Sequence, residues 1–223
     1  MQSKHNIIKL NAISRRLNRV HHSARRRRLK TQPKYDDLSV AMLLIDETSH
    51  ELFRSFMSET RLGRYRVGGM INRALLECLA DANWLYTKSD RALAYIKSVK
   101  SFGEHMTTAA PTLLQDIPVD IKKKAEWSSS EIQHRIDVLG EKPKFLYDYY
   151  SYFTHVSPAF FSFGYVDPGY QYTEYSLTHH AVASFLNISL VIESSSTIFN
   201  TYEGLQINSI NTDYMSLPSR IDN

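Results

Sequence analysis

Two rows of polar side chains recur every four residues inside otherwise apolar stretches. In "RALLECLAD", Arg73, Glu77 and Asp81 fall on one side of a helix, and in "YDYYSYFTH", Tyr147, Ser151 and His155 do the same. Such a row is costly to bury unless it meets partners, and these groups suit one another. A guanidinium forks a carboxylate, and a carboxylate orients an imidazole. Pro158 follows three residues after His155, which puts the histidine in a last helical turn where the dipole favours an imidazolium. The set can do acid–base chemistry on a phosphate ester. His155 would be the general acid or base, Glu77 its orienter or a second acid/base, and Arg73 an anion clamp, with Tyr147 and Ser151 on the same face. The competing reading of the same spacing is a polar network that fixes helix register.

These residues need long helices to hold them, and the chain supplies the pattern. It has 223 residues, 43% hydrophobic and 22% charged, with only eight glycines and seven prolines, which disfavours strands and turns. Leu38, Met42, Ile45, Leu52, Phe53 and Phe56 keep a helical period, with Asp36 or Asp37 as N-cap. The next helix runs over 64–86, where Gly68-Gly69 points to a closely packed neighbour. Another opens at Ser89. Ser128 and Glu131 form a capping-box pattern, with Gly140 as the stop, and a further helix starts near Pro143. Residues 145–165 hold ten of the 26 aromatics, so that helix is expected at the centre of the core. The last long helix is expected over 177–203.

Charge is unevenly distributed. Residues 1–34 carry 11 of the 27 Lys and Arg and no acid, leaving 16 basic against 23 acidic residues in the remainder. Residues 1–34 therefore read as a basic arm, in which Ile7, Leu10, Ile13, Leu17 and Val20 mark an amphipathic helix over 4–20 and "ARRRRLKTQPK" a solvated linker. Arg15, Arg16, Arg19, Arg25, Arg26, Arg27, Arg28 and Lys30 are the candidate nucleic-acid contacts. The apolar stripe also suits an anionic membrane surface, and the Arg-rich, acid-free composition also matches a mitochondrial transit peptide. The lone Cys78 allows no internal disulfide, and no His or Cys spacing indicates a metal. His179 and His180 are adjacent and diverge on a helix, so they read as a polar helix start. No segment reads as a membrane span.

The run "INRALLECLADANWLY", then "EWSSSEIQHRIDVLG" and "YDYYSYFTHVSP", resembles a widespread bacterial family of helical proteins known as a domain of unknown function. The resemblance rests on Arg73, Glu77, Trp127, Ser128, Gly140, Tyr147, Ser151 and His155, and covers roughly residues 38–165. It implies a helical bundle and adds weight to Arg73, Glu77 and His155. More distantly, the chain resembles the higher-eukaryote and prokaryote nucleotide-binding (HEPN) helical domains, many of them metal-independent ribonucleases in toxin and phage-defence systems. Their hallmark arginine, separated from the histidine by four to six residues, is replaced here by Asp148, Tyr149 and Tyr150. A formal match exists at Arg15 or Arg16 with His21 and His22.

The expectation is an all-α bundle of about six or seven helices. It comprises a basic arm (1–34), a helical domain (35–203) and a polar C-terminal tail (204–223). The expected function is a metal-independent nuclease or nucleotide-handling protein, a cytoplasmic toxin or defence effector. It would need no cofactor, would take RNA or other nucleic acid as partner through the arm, and is compatible with a homodimer. The alternative is a non-catalytic interaction module with a structural polar network.

Overall fold

A computed structural model of the chain describes residues 2–98, 132–154 and 174–217. Its elements are α1 (Gln2–Thr31), α2 (Asp37–Arg61), α3 (Tyr65–Thr87), a 3-10 turn (Ser89–Arg91) leading into helical residues 92–98, α4 (Ile132–Val138), α5 (Glu141–Thr154), α6 (Glu174–Ser195) and α7 (Thr201–Met215). No strand occurs among the described residues, and the fold is the expected all-α bundle. The Ser128/Glu131 capping box and His155 lie outside the described residues. No helix among the described residues is long and apolar enough to cross a membrane.

The centre is a layer of α2, α3 and α6, each packed on the other two. Asp36 caps α2: its carboxylate accepts a hydrogen bond from the Ser39 amide at 2.8 Å. The helix then buries Met42, Ile45, Ser49, Phe53, Phe56 and Thr60 at three- and four-residue steps. It ends at Gly63, whose φ of +71° is left-handed and suits glycine. The chain reverses into α3, where Gly68 lets the two helices approach. A Cβ there would sit 3.2 Å from Phe56 Cε2 and 3.3 Å from Thr60 Cγ2. Helix α3 also carries α4 and α5 on its other side. Gly140, at φ +97°, closes α4 as the sequence indicated. Pro143 follows in the first turn of α5, where its missing N–H leaves no helical bond unmade.

Three sequence expectations are corrected. Residues 24–31 of the expected linker are not solvated coil, because α1 runs unbroken to Thr31 and packs on α6 and α7. Leu10, Ile13, Leu17, Val20 and Ala24 belong to the core, so the stripe proposed for a membrane is already covered by the bundle. Residues 2–31 therefore form an integral helix rather than a separate arm.

Residues 204–217 are likewise not a loose tail. Asn200 opens α7 with a capping box: its side-chain oxygen accepts from the Glu203 amide at 2.9 Å, while its own amide donates to Glu203 Oε2 at 3.0 Å. Ile207 and Ile210 then enter the core. Helix α5 is peripheral rather than central. It buries Tyr147 and Tyr150, yet leaves Phe145 67% and Tyr152 49% exposed.

Candidate functional site

Helix α3 presents Arg73, Glu77 and Asp81 in one row toward α4 and α5. The first two meet α5. The Arg73 guanidinium donates from Nη1 to Thr154 Oγ1 at 2.7 Å and from Nη2 to the Tyr147 hydroxyl at 3.0 Å. Tyr147 in turn donates to Glu77 Oε1 at 3.2 Å, and Arg73 Nε lies 3.3 Å from the same oxygen. The guanidinium carbon sits 5.0 Å from the Tyr147 ring centroid, a cation–π contact that pins it further. Burial raises the Tyr147 hydroxyl above its ordinary value, opposed by the Arg73 hydrogen bond and helped by the Glu77 charge, so it stays protonated. The Arg73 and Glu77 side chains remain 24% and 38% exposed, so this cluster opens to solvent.

The row then divides. Asp81 turns to α4, where Arg135 Nε lies 2.7 Å from its Oδ1, and the two side chains are only 17% and 3% exposed. Burial pushes the Asp81 carboxyl up to about 6 against the opposing pull of Arg135. That pair ties α3 to α4. Ser151 donates back to the Tyr147 carbonyl at 2.8 Å, so its hydroxyl proton is engaged within α5. Cys78, beside Glu77 in sequence, is partly buried, and desolvation pushes its thiol up. Among the described residues no group of His, Cys, Asp or Glu could hold a metal ion.

The eight basic candidates of α1 separate into two sets. Arg16 pairs with Asp213, and Arg25 lies 3.2 Å from Glu47. Arg27 lies 2.8 Å from Glu203 Oε2 and also donates to the Ile198 carbonyl at 2.7 Å. Arg28, nearly buried, reaches Asp46 at 2.9 Å and Glu47 at 3.0 Å. These four fasten α1 to α2 and α7. Arg15, Arg19, Arg26 and Lys30 are exposed and have no ion-pair partner among the described residues. Their spacing puts them on one face of α1 over about 22 Å.

One polar cluster was not foreseen. His21 and Asp46, both fully buried, meet at 2.6 Å between Nδ1 and Oδ1, and His21 Nε2 lies 2.8 Å from Ser189 Oγ on α6. Serine, imidazole and carboxylate stand in the order of a hydrolase triad, but the proton direction is reversed. Ser189 donates its own proton to the Phe185 carbonyl at 2.7 Å, so its oxygen accepts from the imidazole instead of giving a proton to it. With no exposure and Phe185 and Phe199 against the ring, the cluster is a clamp joining α1, α2 and α6. Burial alone would raise the Asp46 carboxyl; His21 and Arg28 outweigh it and hold the group below its ordinary value. The sequence did carry a signal, since Leu17, His21, Ala24 and Arg28 continue the apolar stripe at steps of four and three.

His179 and His180 each meet a tyrosine of a neighbouring helix. His180 Nδ1 lies 2.7 Å from the Tyr150 hydroxyl, and the His179 ring lies tilted against Tyr214, so both serve packing of α6. Compared with protein-family models, curated proteins and solved structures, the chain matches none.

Proposed function

We propose that the protein handles nucleic acid, with acid–base chemistry on a phosphodiester at the α3/α5 cluster. The observation that carries this reading is the convergence of Arg73, Tyr147 and Glu77 within hydrogen-bonding distance on a solvent-open face. Arg73 would neutralise charge on a phosphoryl oxygen. Tyr147 would exchange a proton with the reacting oxygen while Glu77 takes up the tyrosine's own proton. His155 follows Thr154 in the chain and is the sequence candidate for the general acid or base. The exposed face of Arg15, Arg19, Arg26 and Lys30 suits a phosphate backbone.

The test is cleavage of total RNA, tRNA and single-stranded DNA in EDTA by the wild type, Glu77→Gln, Tyr147→Phe and His155→Ala, each checked for folding. The expected result is cleavage by the wild type, reduced at least about 100-fold in the variants. No cleavage by the wild type, or undiminished rates in Glu77→Gln and Tyr147→Phe, would refute it. The second reading, a non-catalytic interaction module, is favoured by the fact that Thr154, Tyr147 and Glu77 already satisfy the Arg73 guanidinium internally.

A further inference from the structure

A second cationic feature lies on a different pair of helices. Where α1 meets the C-terminal half of α2, a half-open cleft of about 360 Å³ is lined by Arg15, Asn18, Arg54, Ser58 and Arg61 among others. Elsewhere, the α1 arginines that face a neighbouring helix are matched by a carboxylate: Arg16 by Asp213, Arg25 by Glu47, Arg27 by Glu203, Arg28 by Asp46. In this cleft three arginines face one concavity, and none has an ion-pair partner among the described residues. Glu59, nearby on α2, is taken by Arg64 at 3.2 Å.

Two uncharged polar groups of the lining, on Asn18 and Ser58, can donate too. Asn18 turns its side-chain oxygen to His50 Nε2 at 2.8 Å, which leaves its NH2 group as the donor toward the cleft. His50 is almost fully buried, so the amide is held from behind by a fixed ring. Ser58 contributes a hydroxyl that no group among the described residues engages. Three guanidiniums, one amide NH2 and the Ser58 hydroxyl, beside the apolar Met57 and Leu62, fit a ligand whose polar end only accepts hydrogen bonds and carries more than one negative charge.

We propose that the α1/α2 cleft binds a phosphate monoester, the dianionic terminal phosphate of a nucleotide or of an oligonucleotide end. A phosphodiester offers one charge per phosphate and leaves the three arginines under-neutralised, whereas a monoester brings nearly two charges and three acceptor oxygens to one point. The cleft volume sits at the small end of ligand sites and suits a mononucleotide or a strand terminus. Binding here is independent of catalysis at Arg73 and is read without any reaction.

The experiment is titration calorimetry on the full chain with inorganic phosphate, a nucleoside 5′-monophosphate, the matching nucleoside, and one oligonucleotide with a 5′-phosphate or a 5′-hydroxyl. The monophosphate should bind and the nucleoside should not. A preference for the 5′-phosphorylated strand over both the hydroxyl strand and the mononucleotide would identify a strand end as the source, and the opposite ranking a free nucleotide. Arg54→Ala/Arg61→Ala should weaken monophosphate binding at least about tenfold, as loss of charge-assisted contacts does. The charge-matched control Lys34→Ala/Lys97→Ala should retain it. The proposal is overturned if the nucleoside binds as well as its monophosphate, if neither binds, or if the control loses as much as the cleft variant.

Discussion

Replacing Asp46 by alanine removes the carboxylate that His21 and Arg28 share inside the bundle. The carboxylate contacts both groups, at 2.6 Å and 2.9 Å, and all three residues are buried. Breaking a buried pair by deleting one member costs about 3–5 kcal/mol, because the other charge is left uncompensated. Arg28 keeps Glu47 at 3.0 Å, so the lower end applies, about 3 kcal/mol. For a chain of this size that corresponds to a fall in Tm of about 6–12 °C, and it should appear in urea denaturation as a shifted midpoint with an unchanged slope. The pH dependence has a definite sign. The folded Asp46 carboxyl lies below its ordinary value of 3.8, so the stabilisation is present above that pH and is lost as pH falls through the folded value. The difference between wild type and variant should therefore shrink in acid. His21→Ala combined with Asp46→Ala should lose less than the sum of the single changes by more than about 0.5 kcal/mol. A loss below about 1 kcal/mol for Asp46→Ala at neutral pH, or strict additivity with His21→Ala, would refute the clamp.

Other outcomes follow from the same structure. Gly68→Val should destabilise by about 1–3 kcal/mol through overpacking against Phe56 and Thr60, measured by thermal melting. Asn200→Ala should cost about 1 kcal/mol, with faster amide hydrogen exchange confined to the first turn of α7. Desolvation in the folded state depresses His50, His179 and His180 from 6.5 to about 4. The unfolded chain then binds more protons in that interval, so urea midpoints should fall between pH 6.5 and 4 while staying nearly flat above it.

Local chemistry made much of the fold readable. The three- and four-residue steps of Met42, Ile45, Phe53 and Phe56, the Asp36 cap and the Gly140 stop each act through neighbours within one or two turns, so the residue order contains both partners. Gly68 signalled a close helix contact without saying which helix, and α2 turned out to supply it. The start of α7 was readable as well, in Asn200 and Glu203 three residues apart, but its weak apolar stripe let it pass for a tail.

The candidate site was legible as a row and not as a set of contacts. Four-residue spacing put Arg73, Glu77 and Asp81 on one face, but only the packing of α4 and α5 on α3 gave Asp81 to Arg135 and Arg73 to Tyr147. The basic N-terminal segment shows the division most clearly. By itself the sequence determined its charge, its helical period and its apolar stripe, all properties of residues near one another. Which arginines are structural and which stay available was decided by acids 18 to 197 residues away, in Asp46, Glu203 and Asp213. A charge acts through the partner that tertiary packing sets beside it, and chain order alone does not encode that neighbour.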